Sequence, residues 1–194
     1  MARSDVQLML GVKAGDNLSF ELLLQKYRTL LVNFLYRMVR DSATAEDLAQ
    51  EVFLRVFRAR KEYAPSAKFT TWLFRIATNL ALNSIRDHRH QKLESSIDEP
   101  TGDSEDSAPL DVADRGPGAV DRLMQHERAL QIRRAVLRLP EKQRAAVLLH
   151  KYQELDYDDI ARILECSESA LKSLLFRAYE TLRVELAPFV AHDE

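Results

Sequence analysis

The stretch that decides the fold is DYDDIARILECSESALKSLLFRAYETLRVE, residues 156–185. Asp156 can cap a short helical run, residues 165–167 form a turn, and Ser167 can cap a second helical run over residues 168–185. Two helices joined by a turn of three or four residues have the plan of a helix-turn-helix, whose second helix lies in the DNA major groove. The sequence therefore predicts a body that recognises DNA.

The second of these helices has polar side chains at positions that could contact DNA. They are Ser169, Lys172, Ser173 and Arg177. Side chains in the first half of a recognition helix reach base edges, and more distant cations meet phosphates. In a single helix the same residues are better explained as a solvated face. The capped helices around it favour DNA binding instead.

Composition predicts an all-α protein with no catalytic centre. Among 194 residues, 46% are hydrophobic and only five are glycine and six proline, which favours helices over turn-rich β structure. No stretch alternates with a period of two. No glycine-rich phosphate loop, nucleophile elbow or paired-acid motif is present, and His88 and His90 would face different ways on a helix. We therefore expect no enzymatic activity, no cofactor and no bound metal.

Charge is distributed unevenly along the chain. The net charge is -2, but residues 94–115 contain eight acids and one base. That segment contributes -7, which leaves +5 for the remainder. Because it is also rich in Ser, Gly and Pro, it cannot bury enough apolar surface to order itself. We predict two mildly basic helical domains joined by a flexible acidic linker.

The expected location is the cytoplasm. The N-terminus has no apolar signal core, and no segment approaches the roughly 20 apolar residues of a membrane span. The single cysteine, Cys166, excludes an internal disulfide framework. Its place in the helix-turn-helix turn predicts a small, buried, apolar role.

Four helices are predicted in the first domain. The first spans Asp5–Lys13 with Ser4 as its cap, and Asn17 can cap the second, whose apolar residues recur at three- and four-residue steps. Thr44, with Asp47 three residues on, resembles a capping box for the third helix. The fourth runs from about residue 69 to 90, and its expected core residues are Trp72, Leu73, Ile76, Leu80 and either Leu82 or Ile85.

The fourth helix has a polar and basic stripe at helical spacing, formed by Arg75, Asn79, Asn83, Arg86 and Arg89. Aromatic residues cluster at or before its start: Tyr63, Phe69, Trp72 and Phe74. Cations with aromatic rings suit an unpaired nucleic-acid strand, because charge follows the backbone and rings hold unstacked bases. Trp72 is nevertheless better explained as a core residue.

The third helix has a different surface, with Glu46, Asp47, Gln50 and Glu51 beside Phe53. Acids repel DNA, so this acidic and partly apolar face suits a basic protein partner. An ordinary preference for acids at a helix N-terminus explains the spacing equally well.

Four stretches, in order, resemble a known family. Residues 45–54, AEDLAQEVFL, look like the polymerase-binding helix of bacterial sigma factors, and residues 69–79, FTTWLFRIATN, resemble the strand-opening segment of the extracytoplasmic-function group. Residues 137–144, LRLPEKQR, and the helix-turn-helix after them look like the C-terminal domain of that group. The resemblance implies sigma domain 2 over residues 1–92, the linker over 93–118, sigma domain 4 over 119–187 and a tail over 188–194.

The resemblance also implies roles for particular residues. The clamp of RNA polymerase would be bound by Asp47, Gln50, Glu51, Phe53 and Leu54. The minus-10 element, with a flipped non-template base, would be contacted by Arg75, Asn79, Asn83, Arg86 and Arg89. The duplex minus-35 element would be read by Ser169, Lys172, Ser173, Phe176 and Arg177. The second domain would dock on the polymerase flap, the linker would approach the RNA exit path, and an anti-sigma factor is implied as inhibitor.

Two positions depart from the family pattern, and two other functions compete. Leu174 and Tyr179 stand where the family often has arginine, which puts the strength of minus-35 binding in question. The chain could instead be a stand-alone two-domain regulator or a decoy that titrates an inhibitor. The face around Asp47 and Glu51 argues against the regulator, and the two basic surfaces argue against the decoy.

Overall fold

The computed structural model describes residues 3–95 and 119–190. Over this part of the chain it contains eight α-helices, a single turn of 3-10 helix at Ala59–Lys61, and no strand. The helices are α1 (Asp5–Lys13), α2 (Asn17–Val39), α3 (Ser42–Arg58), α4 (Phe69–Ser95), α5 (Ala119–Arg138), α6 (Glu141–Tyr152), α7 (Tyr157–Ile163) and α8 (Glu168–Val190). The all-α prediction is confirmed.

The ends of α4 and α8 bear on the predicted linker and tail. The α4 helix was expected to end near residue 90 but continues through Ser95, and α5 begins at Ala119. Residues 96–118 of the predicted linker lie outside the described residues. The α8 helix extends to Val190, into the stretch where the tail was expected, and residues 191–194 are again outside the description.

Helix caps in the first half of the chain agree with the sequence at one position and differ at two. Ser4 caps α1 in a capping box, as predicted. Asp16, not Asn17, caps α2, and Asp41, not Thr44, caps α3. In both cases the aspartate has extended backbone and its carboxylate accepts a backbone N–H of the first turn, whereas the expected residue is already helical.

The caps of the helix-turn-helix follow the sequence closely. The Asp156 carboxylate accepts the backbone N–H of Asp159 at 3.1 Å, and the Ser167 hydroxyl accepts that of Ala170 at 3.2 Å. The sequence predicts Pro140 in the first turn of α6, but Pro140 precedes that helix, because its ψ of 144° is extended. Glu165, in the turn between α7 and α8, has φ of 53°, a conformation that non-glycine residues adopt at some cost.

The first body, α1–α4, is built around the apolar face of α2. Phe34 is fully buried there, and its ring meets that of Phe74 on α4 edge-on at 5.3 Å. The expected core of α4 is partly corrected. Leu73 and Leu80 are buried with Phe74, Ala77 and Ala81, whereas Trp72, Ile76, Leu82 and Ile85 are only partly buried. Positions three and four residues apart, counted from Leu73, lie at the middle of the buried face of the helix, and the partly buried positions lie at the edges of that face.

A close approach joins α1 to α2. A Cβ atom added at Gly11 would lie 2.6 Å from the Ser19 hydroxyl oxygen, so a larger residue there would force Ser19 or the helices to shift. Ser19 is fully buried and donates to the Asp16 carboxylate at 2.6 Å. Gly15, at the break between the two helices, has φ of 95°.

The second body, α5–α8, has its own core and packs against the first. Buried Leu139, Leu148, Ile160, Ile163, Leu171 and Leu175 come from the segment before α6 and from α6, α7 and α8. The α7 helix lies against α4, and α6 and α5 contact α2. None of the helices over the described residues is both long and apolar enough to cross a bilayer.

A buried arginine connects the two bodies. Arg144 of α6 donates to the carbonyl oxygen of Met38 at 2.5 Å and to those of Leu137 and Leu139 at 2.7 and 3.2 Å. Met38 lies in the last turn of α2, where carbonyls lack partners within the helix. Burial lowers the pKa of the Arg144 guanidinium to about 10. A second cation, Arg37 of α2, lies 4.0 Å from the centre of the Tyr152 ring.

Candidate nucleic-acid and polymerase interfaces

An apolar groove of about 590 Å³ runs between α2 and α3. Its walls include Phe20, Leu24 and Val32 of α2 and Gln50, Phe53, Leu54 and Phe57 of α3. Leu54 is 48% exposed, whereas Phe53 is buried and its ring meets Phe20 edge-on at 6.4 Å. A groove of this kind can hold an amphipathic helix from another protein.

The five predicted polymerase-binding residues fall into two sets. Gln50, Phe53 and Leu54 line the groove. Asp47 is exposed and does not line the groove, and Glu51 accepts a hydrogen bond from Arg55 at 2.8 Å. That bond holds the pKa of the Glu51 carboxyl below its ordinary value. The structure therefore places an apolar recess beside a separate acidic edge on one helix.

The predicted stripe on α4 is exposed along its length: Arg75, Asn79, Asn83, Arg86 and Arg89. Arg86 donates to the side-chain oxygen of Asn83 at 3.2 Å, so these two are already joined. Arg75 and Arg89 are paired with acids of the second body, Glu165 and Glu141 respectively. The stripe is thus continuous, but its two ends are occupied within the chain.

A cavity of about 630 Å³ lies at the start of α4. It is lined by the loop residues Glu62, Tyr63, Ala64, Ser66 and Ala67, by Thr71, Trp72 and Arg75 of α4, and by Ala59 and Arg162. The Tyr63 and Trp72 rings are 5.1 Å apart. Trp72 is therefore only partly a core residue, because part of it faces this cavity. The sequence predicts a loop around Pro65 but did not mark it as part of a site, although its position just before the aromatic start of a helix was a usable signal.

The five predicted residues of α8 are all exposed: Ser169, Lys172, Ser173, Phe176 and Arg177. Their spacing of three and four places them along one side of the helix. Phe176 is 68% exposed, which is unusual for a phenylalanine without a partner. Arg177 Nε donates to the Ser173 carbonyl oxygen at 3.2 Å, and Lys172 Nζ lies 3.8 Å from the Glu168 carboxylate.

Tyr179 is not on the exposed face of α8. Its hydroxyl lies 2.9 Å from Nδ1 of His150, and burial raises its pKa. Burial also lowers the pKa of His150. Tyr179, which departs from the family pattern, therefore packs inside the second body. Leu174, the other departure, is half-buried.

Two minor expectations concern histidine and cysteine. His88 and His90 are exposed on α4, and His88 Nδ1 lies 3.0 Å from the Ser84 carbonyl oxygen. In residues 3–95 and 119–190, no group of three or more His, Cys, Asp or Glu is placed to hold a metal ion. Cys166 is half-buried rather than buried, and it packs against the core.

Family models match both bodies. Residues 23–91 match the model described as Sigma-70 region 2, and residues 129–182 match that described as Sigma-70, region 4. The first matched range contains the α3 wall of the groove, the α4 stripe and the lining of the cavity except Arg162. The second contains the helix-turn-helix.

Curated relatives match over nearly their whole length. The RNA polymerase sigma-H factor of Pseudomonas aeruginosa is 31% identical over 187 residues, covering 96% of this chain and 95% of that protein. The ECF RNA polymerase sigma factor SigW of Bacillus subtilis is 32% identical over 177 residues, covering 90% and 92%. A solved structure of the sigma factor RpoE with the anti-sigma factor NepR from Bartonella quintana has a TM-score of 0.67 at 21% identity, covering 87% of this chain and 96% of that one. That likeness establishes a shared fold.

Proposed function

The chain belongs to the extracytoplasmic-function group of RNA polymerase sigma factors, and we propose that it binds core RNA polymerase and directs promoter-specific transcription initiation. The observation that carries the proposal is the presence of two different nucleic-acid surfaces in one chain. The α4 stripe with its cavity suits an unpaired strand, and the exposed face of α8 suits a duplex. A protein that reads both must act where a duplex is opened.

The groove between α2 and α3 is the proposed docking site for the polymerase clamp. An incoming amphipathic helix would cover Leu54 and reach the wall formed by Phe53 and Phe20. The exposed acids Glu46 and Asp47 at the edge would attract a basic partner and set its orientation. A regulator that acts without polymerase has no use for such a groove.

The start of α4 is the proposed site of minus-10 recognition. A base flipped out of the non-template strand would enter the cavity and stack against Trp72 or Tyr63. The amides of Asn79 and Asn83 are exposed on the same helix and can hydrogen-bond to neighbouring bases. Arg86 and Arg89 farther along would meet phosphates, since guanidinium groups pair well with them.

The exposed face of α8 is the proposed reader of the minus-35 duplex. Lys172 and Arg177 can donate to guanine edges or phosphates, and Ser173 can bond to either. Phe176 offers an apolar contact for a thymine methyl group. Because Tyr179 is turned toward His150, we propose that it contributes nothing to DNA contact directly.

The proposal also covers where the protein acts, its lack of catalytic activity and how it is regulated. We infer that the protein acts in the cytoplasm, without catalytic activity or cofactor of its own. The fold relative from Bartonella quintana was solved with an anti-sigma factor. We propose that an anti-sigma factor also restrains this chain, by covering its polymerase-binding or DNA-binding surfaces.

In-vitro transcription tests the proposed function. Core polymerase with this chain and a genomic promoter library should give specific transcripts that share minus-10 and minus-35 elements, and core enzyme alone should give none. Lys172→Ala with Arg177→Ala should reduce these transcripts and leave association with core polymerase unchanged, because each lost phosphate or base contact weakens only DNA binding.

The matched control is Arg183→Ala, which removes an exposed cation of α8 that is paired with Glu180 at 2.9 Å. It should leave transcription near wild type. Failure of the wild-type chain to stimulate specific initiation, together with tight promoter binding by the chain alone, would contradict the proposal.

A further inference from the structure

The N-terminal helix α1 contacts the loop that lines the cavity at the start of α4. Lys13, in the last turn of α1, donates from Nζ to the carbonyl oxygen of Tyr63 at 2.8 Å. We propose that Lys13 is a positioning residue for minus-10 recognition, which holds the Tyr63 peptide and thereby places the loop backbone that selects the flipped base. The inference rests on the role proposed for the cavity and adds to it a residue that lies 50 positions before Tyr63.

The loop over residues 62–67 has few restraints of its own. It contains neither helix nor strand, and the backbone hydrogen bond within it joins the Ser66 N–H to the Ala64 carbonyl oxygen at 2.8 Å. Across residues 3–95 and 119–190, the bond from Lys13 is the only hydrogen bond that this loop receives from a distant part of the chain. A segment with so few contacts opens easily, so losing one tether changes its position.

Beyond Tyr63, the loop side chains on the cavity wall are small: Ala64, Ser66 and Ala67. The Tyr63 ring can stack on a base, but stacking accepts every base because each has a π-face. A flipped base is distinguished by hydrogen bonds to its Watson–Crick edge. The small residues leave the loop's backbone N–H and C=O groups within reach of that edge. Such groups discriminate only when they are held within about 0.5 Å of the productive position.

Two contacts hold different parts of Tyr63. Its side chain is packed, since the residue is 5% exposed and its ring lies 5.1 Å from that of Trp72 and 6.5 Å from that of Phe69. Ring packing alone still allows the peptide after Tyr63 to rotate. The bond from Lys13 to the carbonyl oxygen of that peptide removes this freedom. The chain therefore enters the cavity wall in one direction, and the loop backbone keeps one position relative to the Trp72 ring.

The helix that carries Lys13 is itself held firmly. Near its C-terminal end, α1 approaches α2 closely at Gly11. In its first turn, the Asp5 carboxylate accepts from Lys26 Nζ at 2.5 Å and from the Tyr27 hydroxyl at 2.6 Å. The α1 helix also contacts the 3-10 turn that precedes the loop. Because α1 is held at both ends, Lys13 transmits the position of the helix pair to the loop.

Three variants test the role of Lys13. Lys13→Met removes the ammonium donor and keeps an unbranched side chain of similar length, whereas Lys13→Arg keeps a donor at the same position. The matched control is Lys26→Met, which removes an ammonium that joins α2 to α1 through Asp5 and makes no contact with the loop. Circular dichroism and thermal unfolding verify that all three variants are folded.

The first readout is base preference at each position of the minus-10 element, measured by in-vitro transcription with core polymerase on templates that carry single-base changes. Preference is the ratio of transcript from the best base to the mean of the others. Lys13→Met should lower this ratio about five- to tenfold at the flipped base and leave other positions within about twofold, because one base-specific hydrogen bond is lost. Lys13→Arg and Lys26→Met should keep the wild-type ratios. A general loss of stability would lower transcription from every template and leave the ratios unchanged.

The second readout is the fluorescence of the free chain, whose single tryptophan is Trp72. Trp72 lines the cavity beside Tyr63, so movement of the loop away from the cavity wall exposes its ring to a soluble quencher. Acrylamide should therefore quench Lys13→Met more strongly than wild type. Quenching of Lys13→Arg and Lys26→Met should match wild type, since both keep the hydrogen bond to the loop.

The results separate the role of Lys13 from the proposed function. Equal ratios for Lys13→Met and Lys26→Met at every position, on templates that wild type transcribes specifically, would overturn the role of Lys13 and leave the proposed function intact. The same loss of preference in Lys13→Arg as in Lys13→Met would also overturn it, because a donor is still present. Failure of the wild-type chain to initiate at any promoter would remove the proposed function, and the role of Lys13 in base selection with it.

Discussion

Truncation of Leu54 is the most direct probe of the groove between α2 and α3. Leu54 is 48% exposed on the rim of that groove, so a docked helix would bury the remaining half of its side chain. Full burial of a leucine contributes about 1.5–3 kcal/mol, and half of it therefore contributes about 1 kcal/mol. Leu54→Ala should weaken binding to core polymerase about fivefold.

The matched control is Leu30→Ala. Leu30 lies on α2, is 41% exposed and does not line the groove. Both substitutions are at partly exposed positions, so each should change the free energy of unfolding by less than about 1 kcal/mol. Competition between unlabelled variants and a fluorescent wild-type chain for core polymerase, followed by anisotropy, measures the difference. Equal affinities for Leu54→Ala and Leu30→Ala would refute the assignment of the groove.

Two further predictions concern the stability of the chain. Asp41→Ala should lower the free energy of unfolding by about 1 kcal/mol at neutral pH, because it removes the cap of α3. Hydrogen bonds from the Thr44 side chain and backbone hold the pKa of Asp41 below its ordinary value, so this contribution is present above the unfolded-state pKa and is lost as pH falls through the folded one. Urea titrations of wild type and variant should therefore converge as the pH falls below the folded-state pKa of Asp41, and a difference that stays constant with pH would contradict the capping role. Arg144→Met should lower the free energy of unfolding by about 2–4 kcal/mol and the Tm by roughly 10 °C in calorimetry, since three carbonyls lose their donor. The control is Arg134→Met, at an exposed position. Equal Tm values for the two variants would show that the Arg144 hydrogen bonds do not stabilise the fold.

Local signals in the sequence predicted most of the secondary structure. The cap at Ser4 and those at Asp156 and Ser167 are confirmed, because a cap depends only on a side chain and the backbone two or three residues ahead. The same reasoning placed the caps of α2 and α3 one and three residues too late, at Asn17 and Thr44 instead of Asp16 and Asp41. Neighbouring polar residues compete for one cap, and backbone geometry decides between them.

The candidate surfaces could be read from periodicity alone, but the recesses could not. The stripe from Arg75 to Arg89 and the face from Ser169 to Arg177 are exposed as their spacing predicted. The cavity beside Trp72 requires a loop and two helices to meet, and one of its walls, Arg162, comes from a distant part of the chain. A pattern of neighbouring residues in the sequence does not show that such distant segments pack together.

The sequence alone determined that the chain is helical, where several of its helices begin, and which family it resembles, since those properties depend on neighbours a few positions apart. Only the tertiary structure decided that Tyr179 packs on His150 and that Asp159 is buried against Lys68, because these partners lie 29 and 91 residues apart. Whether an exposed acid caps a helix or neutralises a distant cation depends on which surfaces meet when the two bodies pack. How the two bodies pack depends on the shape and charge of their whole surfaces, and a pattern of neighbouring residues does not contain that information.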